Sequence, residues 1–333
     1  MPWSDPGLLV ACAAGALGVS AGGTTWAIAY ARRRGMLDQP GERRSHAIAT
    51  PRGGGIGIVV AILLAMGWLA WSRDTHAWWL MAAGLLLVAG AGWRDDHRPL
   101  PIAHRLAAHG LAALALGLGL HWQGAGLPAV LVAIVMVPVL VNAWNFMDGI
   151  DGLATSQALL CAVGLACLLA GPWQLLGIVL AAACAGFLPF NIPPARIFLG
   201  DVGSGALGYA MAALIAGGVA SLPATSWPLL PVPMIAMLGD SGLTLAWRMA
   251  TGQRWWEPHV QHLFQRCSRR WGHARVTTAY AVWTCAAVGI MLCAQGMQMP
   301  GALLVFATMA TIWLLAWLRM HRRSATTTEG FGT

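Results

Sequence analysis

Polar residues fall in short clusters along this chain, separated by long apolar runs. Eleven runs reach or approach the ~20 residues a helix needs to cross a hydrocarbon core. They lie roughly at 7–30, 55–72, 76–93, 103–121, 127–142, 153–170, 173–190, 203–220, 228–247, 276–296 and 300–318. The fourth is the weakest, because its first half holds His104, Arg105 and His109. The pattern predicts an all-α polytopic membrane protein of about eleven transmembrane helices. A single membrane domain over 1–323 accounts for nearly everything, and 324–333 reads as a disordered tail.

The placement of charge orients the chain. Its basic residues are all arginine, clustered after the first, third, seventh, ninth and eleventh runs, and only Arg73 falls on the opposite side. The positive-inside rule therefore puts the N-terminus outside and the C-terminus in the cytoplasm, with every odd-to-even loop cytoplasmic. A missed or extra span would scramble that one-sidedness. The first run has no basic residues before it and three arginines directly after it, so it reads as an anchor rather than a cleavable signal.

Composition agrees: 58% of residues are hydrophobic, 10% are charged and mean hydropathy is +0.64, which excludes a soluble domain. The net charge of +8 reflects topology and attraction to anionic lipid and substrate. With no basic patch interleaved with aromatics, nucleic acid is not an expected partner. The seven cysteines show neither a metal spacing nor a disulfide framework.

Chemistry-bearing residues concentrate in the cytoplasmic loops. The first carries His46, then Arg52 and Gly53–Gly55; glycines there serve either anion binding by exposed N–H groups or close helix packing. The second opens with Asp95 and Asp96, about 100° apart on a helix, so that one can face a cation and the other a substrate, or both can pair with nearby arginines. In the third, Asn142, Asn145, Asp148 and Asp151 recur every three residues and share a face if the helix continues through them. Four polar groups on one stripe are hard to explain as packing. The fourth places Asn191 and Phe198 before Asp201, a carboxylate that opens the eighth span and either caps it or acts in the site. The longest, 248–275, holds His259 and His262 with Arg266, a set better suited to phosphate than to zinc. Asp240 lies inside the ninth span, turned inward to pair or to line the site.

Carboxylates in this number suit a hard cation such as Mg²⁺, which takes one or two of them together with substrate phosphates. Arginine and histidine complement phosphates, and amides suit a ribose or a base. The set suggests a nucleotide-linked substrate meeting a lipid.

DxPxxRxxH followed by PRGGG, the Asp95–Asp96 pair, NAWNFMDGIDGLA, PFNIPPARIFLGDVGSG and HVQHL occur in order, one per cytoplasmic loop. With these motifs the chain resembles the polyprenyl-phosphate N-acetylhexosamine-1-phosphate transferase superfamily, over everything from the first span to the tenth. The resemblance implies a bacterial inner-membrane enzyme, its active site facing the cytoplasm, that moves a sugar-1-phosphate from a UDP-N-acetylhexosamine to undecaprenyl phosphate and releases UMP. It implies Asp201 as the ligand of Mg²⁺ (Mn²⁺ being the alternative) and Asp95 and Asp96 as the catalytic acidic pair. It further implies Asn145 and Asp148 near the ribose-diphosphate, and Asp151, Asn191 and Phe198 at a uracil pocket. His259 and His262 fall near the diphosphate, His46 and Arg52 in the first substrate-binding motif. A homodimer is expected on the same ground.

Two departures narrow the subgroup. The phospho-MurNAc-pentapeptide transferases carry three consecutive histidines in the last loop and a lysine in the first; this chain has HVQH and no lysine. The pattern is more similar to the glycosyltransferase family 4 enzymes that initiate O-antigen and related surface glycans. A transporter, the rival from another class, predicts acids near mid-membrane and duplicated halves; here only Asp240 lies within a span, and no repeat is evident.

Overall fold

The computed structural model describes residues 5–39, 49–73, 75–254, 256–257 and 259–326. Among them are twelve α-helices: α1 (Pro6–Arg34), α2 (Ile56–Arg73), α3 (His76–His97), α4 (Ile102–Trp122), α5 (Leu127–Met147), α6 (Leu153–Leu168), α7 (Gly171–Asn191), α8 (Gly200–Ser221), α9 (Ile235–Ala250), α10 (Leu263–Trp271), α11 (His273–Cys293) and α12 (Met299–Thr326). The expected all-α polytopic architecture is observed. Nine stretches among the described residues are long and apolar enough to span a membrane, and α2 and α6 are shorter apolar helices. One small antiparallel ribbon, β1 (Leu37–Asp38) with β2 (Thr50–Pro51), brackets the first polar loop and pairs Leu37 with Pro51. His46 lies outside the described residues.

The bundle is built around α8, whose whole spanning stretch is buried. It packs against α3, α5, α2, α6, α7 and α4. Small residues make that crowding possible. A Cβ on Gly55, at the start of α2, would stand 2.2 Å from Gly203 Cα, so α2 and α8 touch backbone to backbone. Glycines 54 and 55 therefore serve packing, and their N–H groups are already committed to Phe198 O and Leu199 O, both at 2.9 Å. Of the two roles open to them, anion binding is the one this geometry removes.

Three regions depart from the expected boundaries. The ninth run, expected as one helix over 228–247, begins as 3-10 turns at Ala224–Leu229 and Val232–Met234 before α9 starts. Pro223, Pro228, Pro231 and Pro233 withdraw the donors a continuous helix needs. The polar segment after the fifth run is helical only to Met147. The shared stripe of Asn142, Asn145, Asp148 and Asp151 is therefore broken, because Gly152 at φ 75° redirects the chain into α6. Finally, the loop over 248–275 contains a short amphipathic helix, α10, with Leu263, Phe264 and Ser268 buried.

Candidate active site

The ends of α3, α5, α7 and α9 and the starts of α4, α6, α8 and α11 meet at one end of the bundle. Chain alternation across the spans produces this convergence, and it is what brings polar clusters distant in sequence within hydrogen-bonding distance.

Asp96 fastens the centre. It is 3% exposed, and its Oδ1 and Oδ2 accept from the N–H groups of Asp201 and Val202, each at 3.1 Å. It thereby satisfies two of the donors that open α8. Gly200 precedes them at φ 75°, where a Cβ would stand 2.7 Å from Asp96 Oδ2, so only glycine admits the carboxylate this close. Arg52 donates from its guanidinium to Asp96 O. The two adjacent acids thus part company: Asp96 is consumed by structure, while Asp95 turns to the open side. There Asp95 Oδ1 accepts from Leu100 N–H at 2.6 Å and Oδ2 lies 3.6 Å from Arg105. Asp95 and Asp201 are close enough for their carboxyl groups to hydrogen-bond.

Asp201 projects from the first turn of α8. Its Oδ1 accepts from Asn145 Nδ2 at 2.7 Å and its Oδ2 lies 3.5 Å from Arg105. Asn145 Nδ2 also reaches Ser204 Oγ at 3.3 Å, and its Oδ1 accepts from Arg105 at 3.2 Å. Arg105 is therefore the cation that holds Asp95, Asp201 and Asn145 together. The sequence signal for it was the one that made the fourth span look weak: an arginine one turn inside an apolar helix is costly unless it pairs.

Asp148, at the C-terminal end of α5, receives no hydrogen bond to its carboxylate among the described residues. Burial pushes its pKa well above the ordinary carboxylate range, and the charges of Asp201, Asp96 and Asp151 push it the same way. It is the least satisfied acid of the centre. No three histidine, cysteine or acidic side chains form a ready-made metal cage among the described residues.

Asp151 sits elsewhere. Its Oδ2 accepts from Ala195 N–H at 3.1 Å, and Oδ1 lies 3.2 Å from Nδ1 of His273, the first residue of α11. Together with Phe198, Arg196, Trp271 and Arg275 they line a cavity of about 720 Å³, in the range of small-molecule sites (roughly 300–1,000 Å³). Asn191 lies behind this cavity, 3% exposed. Its Oδ1 accepts from Gly152 N–H and Thr155 Oγ1, both at 3.2 Å, and its Nδ2 donates to Ile197 O at 3.1 Å. Asn191 shapes the wall rather than presenting a free amide. Asn142 likewise spends its Nδ2 on Pro138 O at 2.7 Å, within its own helix. His273 was overlooked in the sequence because it sits between basic residues at a helix start, with no partner in sequence.

The histidines come next to the end of α5. His259 and His262 rings lie 4.8 Å apart, and His262 stacks on Phe146 at 5.9 Å. Burial lowers the pKa of both, that of His259 to about 4. Both are neutral near pH 7 and offer N–H and lone-pair contacts, not charge. Arg266 points the other way, 2.9 Å from His321 Nδ1 on α12. Asp240 is fully buried and lines no part of the acidic centre. It accepts from Leu263 N–H (2.8 Å), Phe264 N–H (3.0 Å) and Tyr280 Oη (2.8 Å), capping α10 and fixing the histidine segment in place. Arg248 secures the other end of that segment through Gln261 (2.7 Å), Gln253 (3.0 Å) and Arg254 O (2.6 Å).

The sequence that carries this arrangement has known relatives. Residues 78–218, which hold α3 to α8 and hence the acidic centre, match the model of glycosyl transferase family 4. The decaprenyl-phosphate N-acetylglucosaminephosphotransferase of Mycobacterium tuberculosis is 30% identical, with 76% of this chain and 74% of that protein covered. The undecaprenyl-phosphate alpha-N-acetylglucosaminyl 1-phosphate transferase of Thermotoga maritima is 33% identical over 54% of this chain and 56% of its own length. A phospho-N-acetylmuramoyl-pentapeptide-transferase of Synechococcus is 36% identical over 50% and 55%. A helix bundle with a cluster of carboxylates at one end is thus the scaffold of a membrane phosphoglycosyltransferase. The chain belongs to the polyprenyl-phosphate N-acetylhexosamine-1-phosphate transferase superfamily, within glycosyltransferase family 4.

Proposed function

We propose that the protein transfers an N-acetylhexosamine-1-phosphate, N-acetylglucosamine-1-phosphate first among the candidates, from a UDP-sugar to undecaprenyl phosphate, releasing UMP. The observation that carries this reading is the Asp95–Asp201–Asn145–Arg105 cluster together with a separate 720 Å³ cavity walled by Asp151, His273, Arg196 and Phe198, the last only three residues before Asp201. The cluster suits a diphosphate; the cavity suits a nucleoside, with Phe198 as a stacking face and Asp151 as acceptor for a base N–H.

A divalent cation fits the donor set, which is all oxygen. The unpartnered Asp148 and the close pair Asp95 and Asp201 are like charges that a cation would relieve. Mg²⁺ characteristically binds one or two carboxylates and lets phosphates and water complete its shell, so a ready-made three-ligand cage is not required. Asp201 would hold it, with Asp148 or Asp95 beside it; when bound it neutralises phosphate charge and leaving-group charge.

The chain's own residues do the rest. Arg105 orients the diphosphate while Asn145 holds Asp201. A carrier-lipid phosphate oxygen forms a bond to the sugar-linked phosphorus, the bond from that phosphorus to the bridging oxygen breaks, and the electron pair departs with UMP. Because a phosphate monoester is already largely ionised at neutral pH, the nucleophile needs no strong base. Asp96, with both oxygens engaged by α8, acts by positioning; Asp95 is the acid left to face the lipid phosphate.

The arginine asymmetry supports an outside N-terminus, eleven spans and a cytoplasmic-facing site in a bacterial inner membrane. The HVQH segment and the absence of lysine support a role in initiating O-antigen or a related surface glycan over the pentapeptide-linked donor. The test is UMP release by purified protein given undecaprenyl phosphate, Mg²⁺ and a panel of UDP-N-acetylhexosamines. Release with N-acetylglucosamine donor, dependent on lipid phosphate and lost in Asp201→Asn, is expected. An active Asp201→Asn variant would remove Asp201 from the proposed role, and no release with any donor from folded protein would refute the transfer reading.

A further inference from the structure

Adjoining the nucleoside-sized cavity along the segment 49–52, there is a second polar cavity of about 440 Å³, where the end of α1 meets the end of α3. Its walls include Tyr30, Arg34, Leu37, Arg52, Asp96 and His97. The proposed transfer places no ligand in it: Asp95, Asp201, Asn145 and Arg105, the cluster suited to a diphosphate, are not among its lining residues, and Asp96 serves there by positioning.

Charge selects the ligand class. Arg34 and Arg52 face one carboxylate, Asp96, whose two oxygens are already taken by Asp201 and Val202 N–H groups. Among the described lining residues one net positive charge remains. Arg52 lines the cavity, and its Nε, buried behind the wall, has no acceptor among the described residues. A phosphodiester carries a single negative charge and supplies acceptor oxygens; a phosphate monoester carries closer to two.

Position selects the source. The α1–α3 seam beside the cavity is aromatic: Trp26 stacks on Tyr30 at 5.1 Å, and Tyr30 meets Trp93 at 5.4 Å. Trp26 is 53% exposed on the outer surface of the bundle, as a side chain at a membrane–water boundary would be. His97 Nδ1 donates to Trp93 O at 2.8 Å, which leaves Nε2 to accept from Tyr30 Oη at 3.1 Å and fixes the rim. Basic pockets between helices at the cytoplasmic level are where anionic headgroups dock.

We infer that the cavity between α1 and α3 binds the phosphodiester headgroup of an anionic membrane lipid, separately from the reacting carrier lipid. The headgroup phosphate meets the positive charge of Arg34 and Arg52. Because Arg52 also donates to Asp96 O, and Asp96 holds the N-terminus of α8, the bound lipid steadies the segment that carries Asp201.

The experiment places full-length wild type, Arg34→Gln and Arg33→Gln in phosphatidylcholine nanodiscs with and without phosphatidylglycerol. Lipid retention is read by native mass spectrometry and thermal midpoint by fluorescence. Arg33 is adjacent and exposed but lines no wall of the cavity, so its variant controls for charge alone. Wild type and Arg33→Gln should retain phosphatidylglycerol and melt higher in its presence. Arg34→Gln should bind it about fivefold more weakly and lose most of the shift. Equal behaviour of the two variants would overturn the inference, as would an equal shift from inorganic phosphate alone. Displacement of phosphatidylglycerol by undecaprenyl phosphate would overturn it too, assigning the cavity to the acceptor. Retention requires no turnover, so this result stands apart from the fate of the transferase reading.

Discussion

Replacing Arg105 with methionine keeps most of the side chain's length and removes its charge. In the structure this one guanidinium lies 3.5 Å from Asp201, 3.6 Å from Asp95 and donates to Asn145 at 3.2 Å. A hydrogen bond to a charged group contributes about 1.5–3 kcal/mol. Arg105 is 29% exposed, so solvent screens the two longer ion pairs and they add little. The summed loss is about 2–3 kcal/mol, felt where phosphate charge must be matched, and corresponds to a fall of about 30- to 150-fold in kcat/KM. Arg105→Lys, which restores charge without the planar fork, should recover part of it. The assay is initial-rate UMP release over a range of donor concentrations, with thermal melting as the control for folding. A well-folded Arg105→Met within threefold of wild type would refute the reasoning, since the cluster would then hold its shape and its ligand without the guanidinium that bridges Asp95, Asp201 and Asn145.

The remaining expectations are briefer. Asp148 has its pKa raised in the folded state, so the fold binds a proton the unfolded chain releases, and this contribution is lost as pH rises from about 4 through the raised value. Asp148→Asn should therefore raise the melting midpoint of substrate-free protein at pH 7 while abolishing transfer; a lower midpoint would contradict the like-charge argument. Asp240→Ala strands the Leu263 and Phe264 N–H groups and the Tyr280 hydroxyl, and should cost about 3 kcal/mol or more, read as a lowered denaturation midpoint. Gly55→Ala forces a Cβ to within 2.2 Å of backbone on α8 and should cost about 1–3 kcal/mol, with unchanged stability as the contrary result.

The all-α polytopic architecture was readable because it is set by a simple alternation of apolar and polar stretches. Apolar length marks helices, and alternating helices carry every second loop to the same end, which is where Asp95, Asp148 and Asp201 come together. What stayed hidden depends on how a side chain is spent. Asp95 and Asp96 are identical neighbours in sequence, yet one faces the centre and the other caps α8. Asn191 and Asn142 look like ligand-binding amides and instead satisfy backbone. Asp240, an acid within a span, is a cap for a helix 23 residues further on, invisible without the fold. Arg266 fell in a segment suited to phosphate but pairs with α12. The short α10 was lost because nine amphipathic residues in a basic loop carry too little periodicity to stand out.

Buried on every side by α2 to α7, α8 is nonetheless made after all of them. The surfaces that α2 to α7 turn towards it therefore have no native partner until the eighth helix has been synthesised. Until then Asp96 has no N–H groups to receive it, and Asn145 has no Asp201. A nascent chain halted before residue 200 would carry most of the acidic motifs and no assembled site. Docking of α8 thus completes the packing of α2 to α7 and joins Asp96, Asn145 and Asp201 in the same event.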